Sequence, residues 1–541
     1  MRQRSRGRVL QVQTSASPSA CDYNGGGAAM ASVRDPGSLG ALQEEIESFL
    51  HLLHHPMVVE SETELFDLTS ANWRLSVEFG KLILSVWNSG KSISRRIEDV
   101  AYRDRNRLGV FVRKPGRSET STLEFRELNS TIAVARTTGR GAYREQLLSL
   151  LQREYRGWAF ERVSNRSDRE HSFSARYTRG LSTQGLSGWA FLGMSAEEGV
   201  AAADEILAFG LIWVDWLRSR AERVAVTGLK LFLPPGAIAS IAHRAAHLNQ
   251  RVLKVEIFEW SGGQLPARPV DPRDHGNVQT HLAHRRQADA LLSTHAGLLR
   301  ELLGDLFAEV AVSPDSTASF LSLRIAGLEV ARIEGLLSPR VFFGLEGSFR
   351  RLGQSQREDF RDFLLEVLRV RRASRPEPQH EYFRLQSERW LESMLLKDLS
   401  RLDPALSTED VYSQVPAFSG TDRGVIDILA ATRRGRLAVI ELKVEEHINL
   451  PLQGLDYWLR VKWLQERKQF QDLGYFAGRE LSGAPPLLYL VSPAFRFHSS
   501  TDRMLAYFDS AIEVIMVGIN DGWREGIKVL FRKQLSGGTA Q

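Results

Sequence analysis

The chain has 541 residues, 43% of them hydrophobic and 25% charged, so it is long and apolar enough for three or four globular domains with their own cores. Its 70 Lys and Arg face 65 Asp and Glu, so a polyanion such as DNA would have to bind local basic patches. A single cysteine, Cys21, excludes an internal disulfide and a thiolate zinc site, and the lack of an apolar span or secretory signal predicts a cytoplasmic protein without a membrane partner.

The N-terminal quarter of the sequence predicts a tail and then a β-rich domain. Residues 1–40 are rich in Ser, Gly, Ala and Arg and lack hydrophobic periodicity, which is typical of disorder. A short helix is expected from Leu42 until just before Pro56. Residues 41–135 then follow a strand pattern, with a hairpin from Trp73 to Trp87.

The middle of the chain predicts an α/β domain. Residues 136–270 alternate helical and strand patterns in the order α-β-β-β-α-β-α-β. Residues 271–372 predict a helix, a hairpin and a second helix. The polar, proline-bearing segment 373–380 predicts a linker.

The C-terminal part, residues 381–535, predicts the same element order as the middle domain. It begins with a helix at 381–402, continues with three strands and a helix at 451–472, and ends with a strand, a helix and a strand. Its second and third strands, Val425–Ala431 and Arg436–Val444, form a hairpin. The connection between them ends in glycine, which suits a type I turn closed by a left-handed residue.

This hairpin brings charged side chains together. If Thr432 pairs with Arg436, Asp427 lies directly opposite Glu441, with the Cβ atoms about 5 Å apart. Opposed carboxylates among apolar neighbours destabilise a sheet unless a cation compensates them. Strand alternation places Lys443 on the same face, so the hairpin predicts a cation site with an ammonium group beside it.

The arrangement resembles the PD-(D/E)xK nuclease superfamily, with Asp427, Glu441 and Lys443 at its D…ExK positions. Gln453 and Tyr457 match the QxxxY signature of the branch that includes RecB-type nuclease domains and the NucS mismatch endonucleases. The resemblance implies a restriction-endonuclease-like α-β-β-β-α-β core in the C-terminal part of an α/β protein.

Two further expectations follow from the resemblance. The branch carries an acidic residue on its first helix, for which this sequence offers Glu392 or Glu388, with Glu392 closer to the family's spacing. Because residues 136–270 have the same element order, we expect a degenerate copy of the core there. Trp189–Leu192 is expected in the place of E-L-K, which would leave that copy without an active site.

The implied function is a metal-dependent nuclease that hydrolyses phosphodiester bonds in DNA, in repair, recombination or defence. Mg²⁺ or Mn²⁺ is expected at Asp427, Glu441 and the carbonyl of Leu442, with Glu392 as a further ligand. Lys443 is expected to orient the attacking water or to stabilise charge in the transition state.

The nucleic acid is expected to contact a helix face and the hairpin tip. Gln453 and Tyr457 would hold its backbone, with Arg460 continuing their face. The tip offers phosphate contacts, namely Arg433, Arg434 and Arg436. The alternative function is a catalytically inactive nucleic-acid-binding or scaffold protein built on nuclease-like folds, and the oligomeric state stays open.

Overall fold

The structure is a computed structural model that describes residues 36–536 apart from short gaps, at 54–55, 61–62, 69–70, 79–80, 88–91, 114–119, 128–129, 169, 221–223, 274–279, 283–284, 316–318, 347, 373–376, 379 and 420–421. The described residues form a mixed α/β fold with 11 helices and four sheets, which confirms the predicted α/β class at this level. No helix in these ranges has both the length and the apolar composition that a membrane crossing requires.

The N-terminal elements form an antiparallel sheet packed on one helix. Their bounds are α1 (Pro36–Leu52), β1 (Pro56–Glu60), β2 (Thr63–Asp67), β3 (Asn72–Glu78), β4 (Lys81–Trp87), β5 (Ser92–Arg103), β6 (Arg107–Arg113) and β7 (Thr120–Glu127). The seven strands lie in the order β2-β1-β7-β6-β5-β4-β3. Alternate residues of β4, including Leu84 and Val86, pack with Ile46 and Phe49 of α1, because a strand points every second side chain to one face.

Helix α1 begins earlier than expected. It starts at Pro36, so the segment 36–40 is helical and does not belong to a disordered tail. Leu39 and Leu42 are both buried against the sheet, and this apolar pair at helical spacing extends the helix toward the N-terminus. Residues 1–35 lie outside the described residues.

The next elements form a sheet with helices on its faces. Their bounds are α2 (Ser130–Glu154), β8 (Ala159–Ser164), β9 (Thr178–Gln184), β10 (Ser187–Gly193), α3 (Gly199–Arg220), β11 (Ala225–Leu233), α4 (Ala239–Ala246), β12 (Lys254–Glu259) and β13 (Arg268–Val270). The order is β13-β12-β11-β10-β9-β8, with β11 parallel to both neighbours and the other pairs antiparallel. The expected boundary between residues 135 and 136 falls within α2.

The region before the candidate site forms a third, antiparallel sheet with two helices. The bounds are β14 (Thr280–His281), α5 (Arg285–Leu303), β15 (Ala311–Pro314), β16 (Phe320–Ile325), β17 (Leu328–Glu334), β18 (Arg340–Phe343), β19 (Arg350–Arg351) and α6 (Arg357–Val370). Strands β15–β19 form this sheet in chain order with α5 and α6 packed on them, whereas β14 belongs to the C-terminal sheet. Much of the expected linker 373–380 lies outside the described residues.

The C-terminal elements form the sheet that carries the candidate site. Their bounds are α7 (Glu381–Arg384), α8 (Ser387–Leu395), β20 (Tyr412–Ser419), β21 (Asp422–Ala431), β22 (Leu437–Leu442), α9 (Leu450–Glu466), α10 (Gln469–Asp472), β23 (Leu487–Pro493), α11 (Thr501–Leu505), β24 (Glu513–Ile519) and β25 (Val529–Ser536). The order is β14-β20-β21-β22-β23-β24-β25, with β23 parallel to both neighbours.

Two helices expected to be continuous are interrupted. The segment 381–402 contains α7 and α8, separated at Gln386, which has a left-handed φ of +46°. The segment 451–472 contains α9 and α10, separated at Lys468 with φ of +56°. A left-handed residue cannot continue a right-handed helix, so each one redirects the chain.

The sheets of β8–β13 and β20–β25 have the same strand order and the same pattern of parallel and antiparallel pairs. Helices α3 and α9 occupy equivalent connections, as do α4 and α11. We call residues 130–270 the middle module and residues 387–536 the C-terminal module. Their facing surfaces share one apolar core, which includes Leu231 and Leu490.

Candidate metal-dependent active site

The hairpin of β21 and β22 closes as its sequence predicts. The N–H of Thr432 donates to the carbonyl of Arg436 at 2.7 Å, and Gly435 has φ of +80°. A side chain at position 435 would also collide with the carbonyl of Glu480. Glycine is therefore required both by the left-handed backbone and by the available space.

This turn places the two carboxylates opposite each other. The strands pair without a register shift as far as Ile428 and Ile440, where the ladder ends, and the same register continued by one residue brings Asp427 opposite Glu441. The N–H of Leu442 donates to Asp427 Oδ2 at 3.0 Å, which bonds the first carboxylate to the strand that carries the second. The register and this hydrogen bond bring the two acids close together, and the charge of Asp427 acts on the pKa of Glu441.

Glu441 is buried and only half satisfied. Its residue is 1% exposed, and its neighbours on the same strand face, Leu437 and Val439, are fully buried. Its Oε1 accepts from Lys443 Nζ at 2.9 Å, whereas its Oε2 has no hydrogen-bond partner. Burial, and then the charge of Asp427, raise the pKa of Glu441 well above its ordinary value.

Lys443 is the cation of the cluster. Its Nζ also donates to the carbonyl of Leu442 at 3.2 Å and lies 3.6 Å from Glu388 Oε2. Burial alone would lower the pKa of this ammonium group, but the charges of Glu441, Glu388 and Asp427 outweigh burial and raise it. Lys443 therefore stays charged at neutral pH.

Helix α8 brings both of its candidate acids to the site. Glu388 faces Lys443, and Glu392, one turn later, is 4% exposed. Burial raises the pKa of Glu392 to about 8, with Arg389 opposing and Asp427 reinforcing the shift. The two acids thus have different neighbours. Glu388 lies near the ammonium group of Lys443, and Glu392 lies on the side of the site near Asp427.

Gln414 connects Glu392 to Asp427, and no pattern in the sequence indicates this residue. Its Nε2 donates to Glu392 Oε2 at 2.6 Å and to Asp427 Oδ1 at 3.3 Å. Gln414 lies in β20 with a left-handed φ of +51°, beside the paired residues Ser413 and Val415. A non-glycine residue with positive φ in a strand was the signal, and it appears only in the backbone geometry.

Helix α9 places the QxxxY residues beside the carboxylates. Gln453 Nε2 donates to Tyr457 Oη at 3.3 Å. Burial, followed by the charge of Glu441, raises the pKa of Tyr457. Arg460 does not continue an accessible face, because it is 4% exposed and bonded to Asp456 at 2.9 Å.

The hairpin tip differs in part from the expected phosphate contact. Arg436 donates to the carbonyl of Pro485 at 2.7 Å and to Glu513 at 2.8 Å, so its guanidinium group forms hydrogen bonds within the C-terminal module. The three tip arginines, Arg433, Arg434 and Arg436, all line an open cavity of about 590 Å³. Because the guanidinium of Arg436 is engaged with Pro485 and Glu513, Arg433 and Arg434 are the better candidates for contacts with a phosphate.

Two comparisons with known proteins found no relative: no model of a protein family matches this sequence, and no curated protein matches it. The side chains of the candidate site and their surroundings are therefore the basis for its function.

The donor chemistry fits a hard divalent cation, although the described residues include no group of three His, Cys, Asp or Glu side chains already arranged to hold one. Asp427, Glu441 and the carbonyl of Leu442 offer the oxygen ligands that Mg²⁺ prefers. Several of these atoms accept hydrogen bonds from Lys443, Gln414 or the N–H of Leu442. Glu441 Oε2 is free to accept a cation, whereas the other oxygens would exchange a hydrogen bond for a metal bond.

Proposed function

We propose that the C-terminal module is a metal-dependent nuclease that hydrolyses phosphodiester bonds in DNA. The observation that carries this proposal is the buried carboxylate of Glu441, which lies beside Lys443, interacts with the charge of Asp427 and has one oxygen unpartnered. Such an arrangement disfavours folding, and clusters of this kind mark functional sites. The resemblance to the D…ExK…QxxxY pattern supports the same conclusion and suggests a restriction-endonuclease-like core.

The site residues have distinct roles in this proposal. Asp427, Glu441 and the carbonyl of Leu442 would hold Mg²⁺ or Mn²⁺, with Glu392 or Glu388 as a further ligand. When bound, the ion supplies Lewis-acid stabilisation of charge on the scissile phosphate.

Lys443 acts on the reacting groups directly. Its Nζ donates to a phosphate oxygen or orients the water whose oxygen bonds to phosphorus as the bond to the leaving oxygen breaks. Gln453 and Tyr457 hold the nucleic-acid backbone near this ammonium group. The hairpin tip would add contacts to phosphate from Arg433 and Arg434.

Cleavage assays test this function. The parent protein should cut DNA with Mg²⁺ or Mn²⁺ and stop in chelator, and Asp427→Ala and Lys443→Ala should each cut at least about 100-fold more slowly. Glu445→Gln is the matched control, since it removes an exposed carboxylate two residues from Lys443 and should cut like the parent. Parental activity in folded Asp427→Ala would show that the site lies elsewhere.

The second candidate function is a nucleic-acid-binding scaffold without activity. It is favoured by the hydrogen bonds that already engage Asp427, Glu392 and the Leu442 carbonyl. A scaffold would bind DNA as well in chelator as in Mg²⁺ and would cut under neither condition, so binding and cleavage measured together separate the two functions.

A further inference from the structure

The repeated sheet order allows the two modules to be matched residue by residue. In the C-terminal module the N–H of Lys443 donates to the carbonyl of Val491 at 3.0 Å, where β22 leaves the sheet beside β23. In the middle module the N–H of Met194 makes the equivalent bond to the carbonyl of Phe232 at 3.2 Å, where β10 leaves the sheet beside β11. Met194 therefore occupies the position of Lys443.

This register shows what has replaced the other site residues. Counting back two residues places Leu192 at the position of Glu441, so the segment equivalent to E-L-K is Leu192–Met194 and not Trp189–Leu192 as expected from the sequence. Leu192 pairs with Arg179 on β9, and the register of β21 and β22, continued one residue beyond the Ile428–Ile440 pair, brings Asp427 opposite Glu441. An arginine thus stands where the first carboxylate would be.

The charge at this position is inverted. Arg179 is 7% exposed, and its guanidinium carbon lies 4.5 Å from the ring centre of Phe173 and 5.5 Å from that of Trp213. Burial lowers the pKa of Arg179 to about 10, so the group is still charged at neutral pH. A buried guanidinium repels a divalent cation, and neither Leu192 nor Met194 offers a carboxylate ligand.

The helices that follow match in the same way. A side-chain carbon at Gly210 of α3 would lie 2.8 Å from Leu229 and 3.4 Å from Leu231, and one at Gly454 of α9 would lie close to the equivalent Leu488 and Leu490. With these glycines aligned, the positions of the QxxxY residues are filled by Phe209 and Trp213. The middle module therefore has none of the five residues of the D…ExK…QxxxY pattern.

The modules face each other as the halves of a two-fold dimer do. The N–H of Asn249 donates to the carbonyl of Tyr507 at 2.8 Å, and the N–H of Asp509 donates to the carbonyl of His247 at 2.9 Å. The first bond runs from the segment after α4 to the segment after α11, and the second runs back. Helix α4 also packs on α9 while the equivalent α11 packs on α3, which is the reciprocal pattern of an isologous interface.

We propose that the chain is an intramolecular pseudo-dimer with one catalytic half, and that it therefore nicks one strand of duplex DNA in each binding event. This inference rests on the nuclease function proposed above. A symmetric two-fold nuclease presents equal sites to the two antiparallel strands of a duplex. In this chain the approximate two-fold axis between the modules relates the Asp427–Glu441 site to a position occupied by Arg179 and Leu192.

A supercoiled plasmid in molar excess over the protein tests the proposal. Open-circular DNA should accumulate first in Mg²⁺ or Mn²⁺, with linear DNA appearing only later from independent nicks. Linear DNA formed as fast as supercoiled DNA disappears would overturn the inference and leave the nuclease function standing. Cleavage of single-stranded DNA alone would do the same, whereas no cleavage of any DNA would overturn the nuclease function and this inference with it.

A matched pair of variants tests which half cuts. Glu441→Gln should abolish nicking. Arg179→Met, which places an apolar side chain of similar length among the same aromatic rings, should nick at the parental rate. If Arg179→Met is folded by circular dichroism and still loses nicking, the middle module takes part in the chemistry and is not a silent half.

Discussion

At the scale of single residues, the site concentrates like charge where burial makes it costly. Lys443 neutralises one oxygen of Glu441, and the second oxygen is left without a partner in an apolar setting. An unsatisfied buried polar atom costs about 1–3 kcal/mol, and more when it is charged. The raised pKa of Glu441 expresses this cost, because protonation relieves the repulsion by Asp427. A divalent cation would relieve it without protonation.

Magnesium should therefore stabilise the protein. At about 100 times its Kd, it should add about 2.7 kcal/mol to the free energy of unfolding of the C-terminal module, because it binds only the native site. Asp427→Asn keeps the shape but loses the charge and should show no gain, whereas Glu445→Gln should gain like the parent. Thermal melts with and without Mg²⁺ measure this, and equal shifts in Asp427→Asn and the parent would place the ion elsewhere.

The affinity for magnesium should also depend on pH. Metal competes with protons on Glu441 and on Glu392, whose pKa values are raised, that of Glu392 to about 8. Affinity should consequently rise as the pH is raised toward about 8, and binding at pH 7 should release protons. Titration calorimetry in two buffers of different ionisation enthalpy measures the number released, and a value of zero would contradict these protonation states.

At the scale of elements, a close backbone approach fixes the helix that carries the acidic residues. Gly327, in the turn between β16 and β17, has φ of +81° and lies against the backbone of Arg389 in α8. A side chain there would collide with the Arg389 carbonyl. The third sheet thus sets the position of α8, and with it the positions of Glu388 and Glu392.

Gly327→Ala should displace α8 and lower both stability and cleavage. The left-handed backbone costs alanine about 1–2 kcal/mol, and the collision should add about 1–3 kcal/mol. Gly236→Ala is the matched control, since Gly236 has φ of +83° with no atom within 4 Å of the added carbon, and it should show the backbone cost alone. Chemical unfolding and cleavage rates measure both, and equal losses in the two variants would contradict this role for Gly327.

The sequence predicts the elements whose cause is local. The register of the β21–β22 hairpin follows from strand alternation and Gly435, and it holds in the structure as far as the Ile428–Ile440 pair. Left-handed residues that are not glycine have no local signature, so the sequence does not predict the helix breaks at Gln386 and Lys468 or the role of Gln414. The match between Arg179 and Asp427 can be made only from the strand pairing in the structure. The loop between β8 and β9 prevents the equivalent positions from being found by counting residues along the sequence.

At the scale of the whole molecule, buried polar side chains join the two modules. Arg244 of α4 is 4% exposed, and its Nη1 lies 2.7 Å from Asp204 Oδ1. The other oxygen of Asp204 accepts from Asn449 Nδ2 at 3.0 Å, at the start of α9. Burial would lower the pKa of Arg244, but Asp456 and Asp204 outweigh it and raise the pKa. One carboxylate of the middle module thus anchors the helix that carries Gln453 and Tyr457.

Asp204→Ala should loosen this junction. It leaves the buried Arg244 without its nearest carboxylate, which should cost about 3–5 kcal/mol and speed hydrogen exchange at the start of α9. The control is Asp215→Ala, which removes another ion pair between the modules. Its partner Arg503 is 67% exposed, so the loss in the free energy of unfolding should stay below about 1 kcal/mol. Exchange rates in α9 that are equal in the two variants would show that Asp204 does not anchor the helix.

The reciprocal contacts between the segments after α4 and α11 have a genetic consequence. When two identical chains form a two-fold pair, every substitution appears in both halves, so losing an acidic residue from one half removes it from the other. Here the halves are encoded separately and can change one at a time. Their covalent connection also keeps them paired at any dilution. One half can therefore replace its carboxylates with Arg179 and Leu192 while the other keeps Asp427 and Glu441.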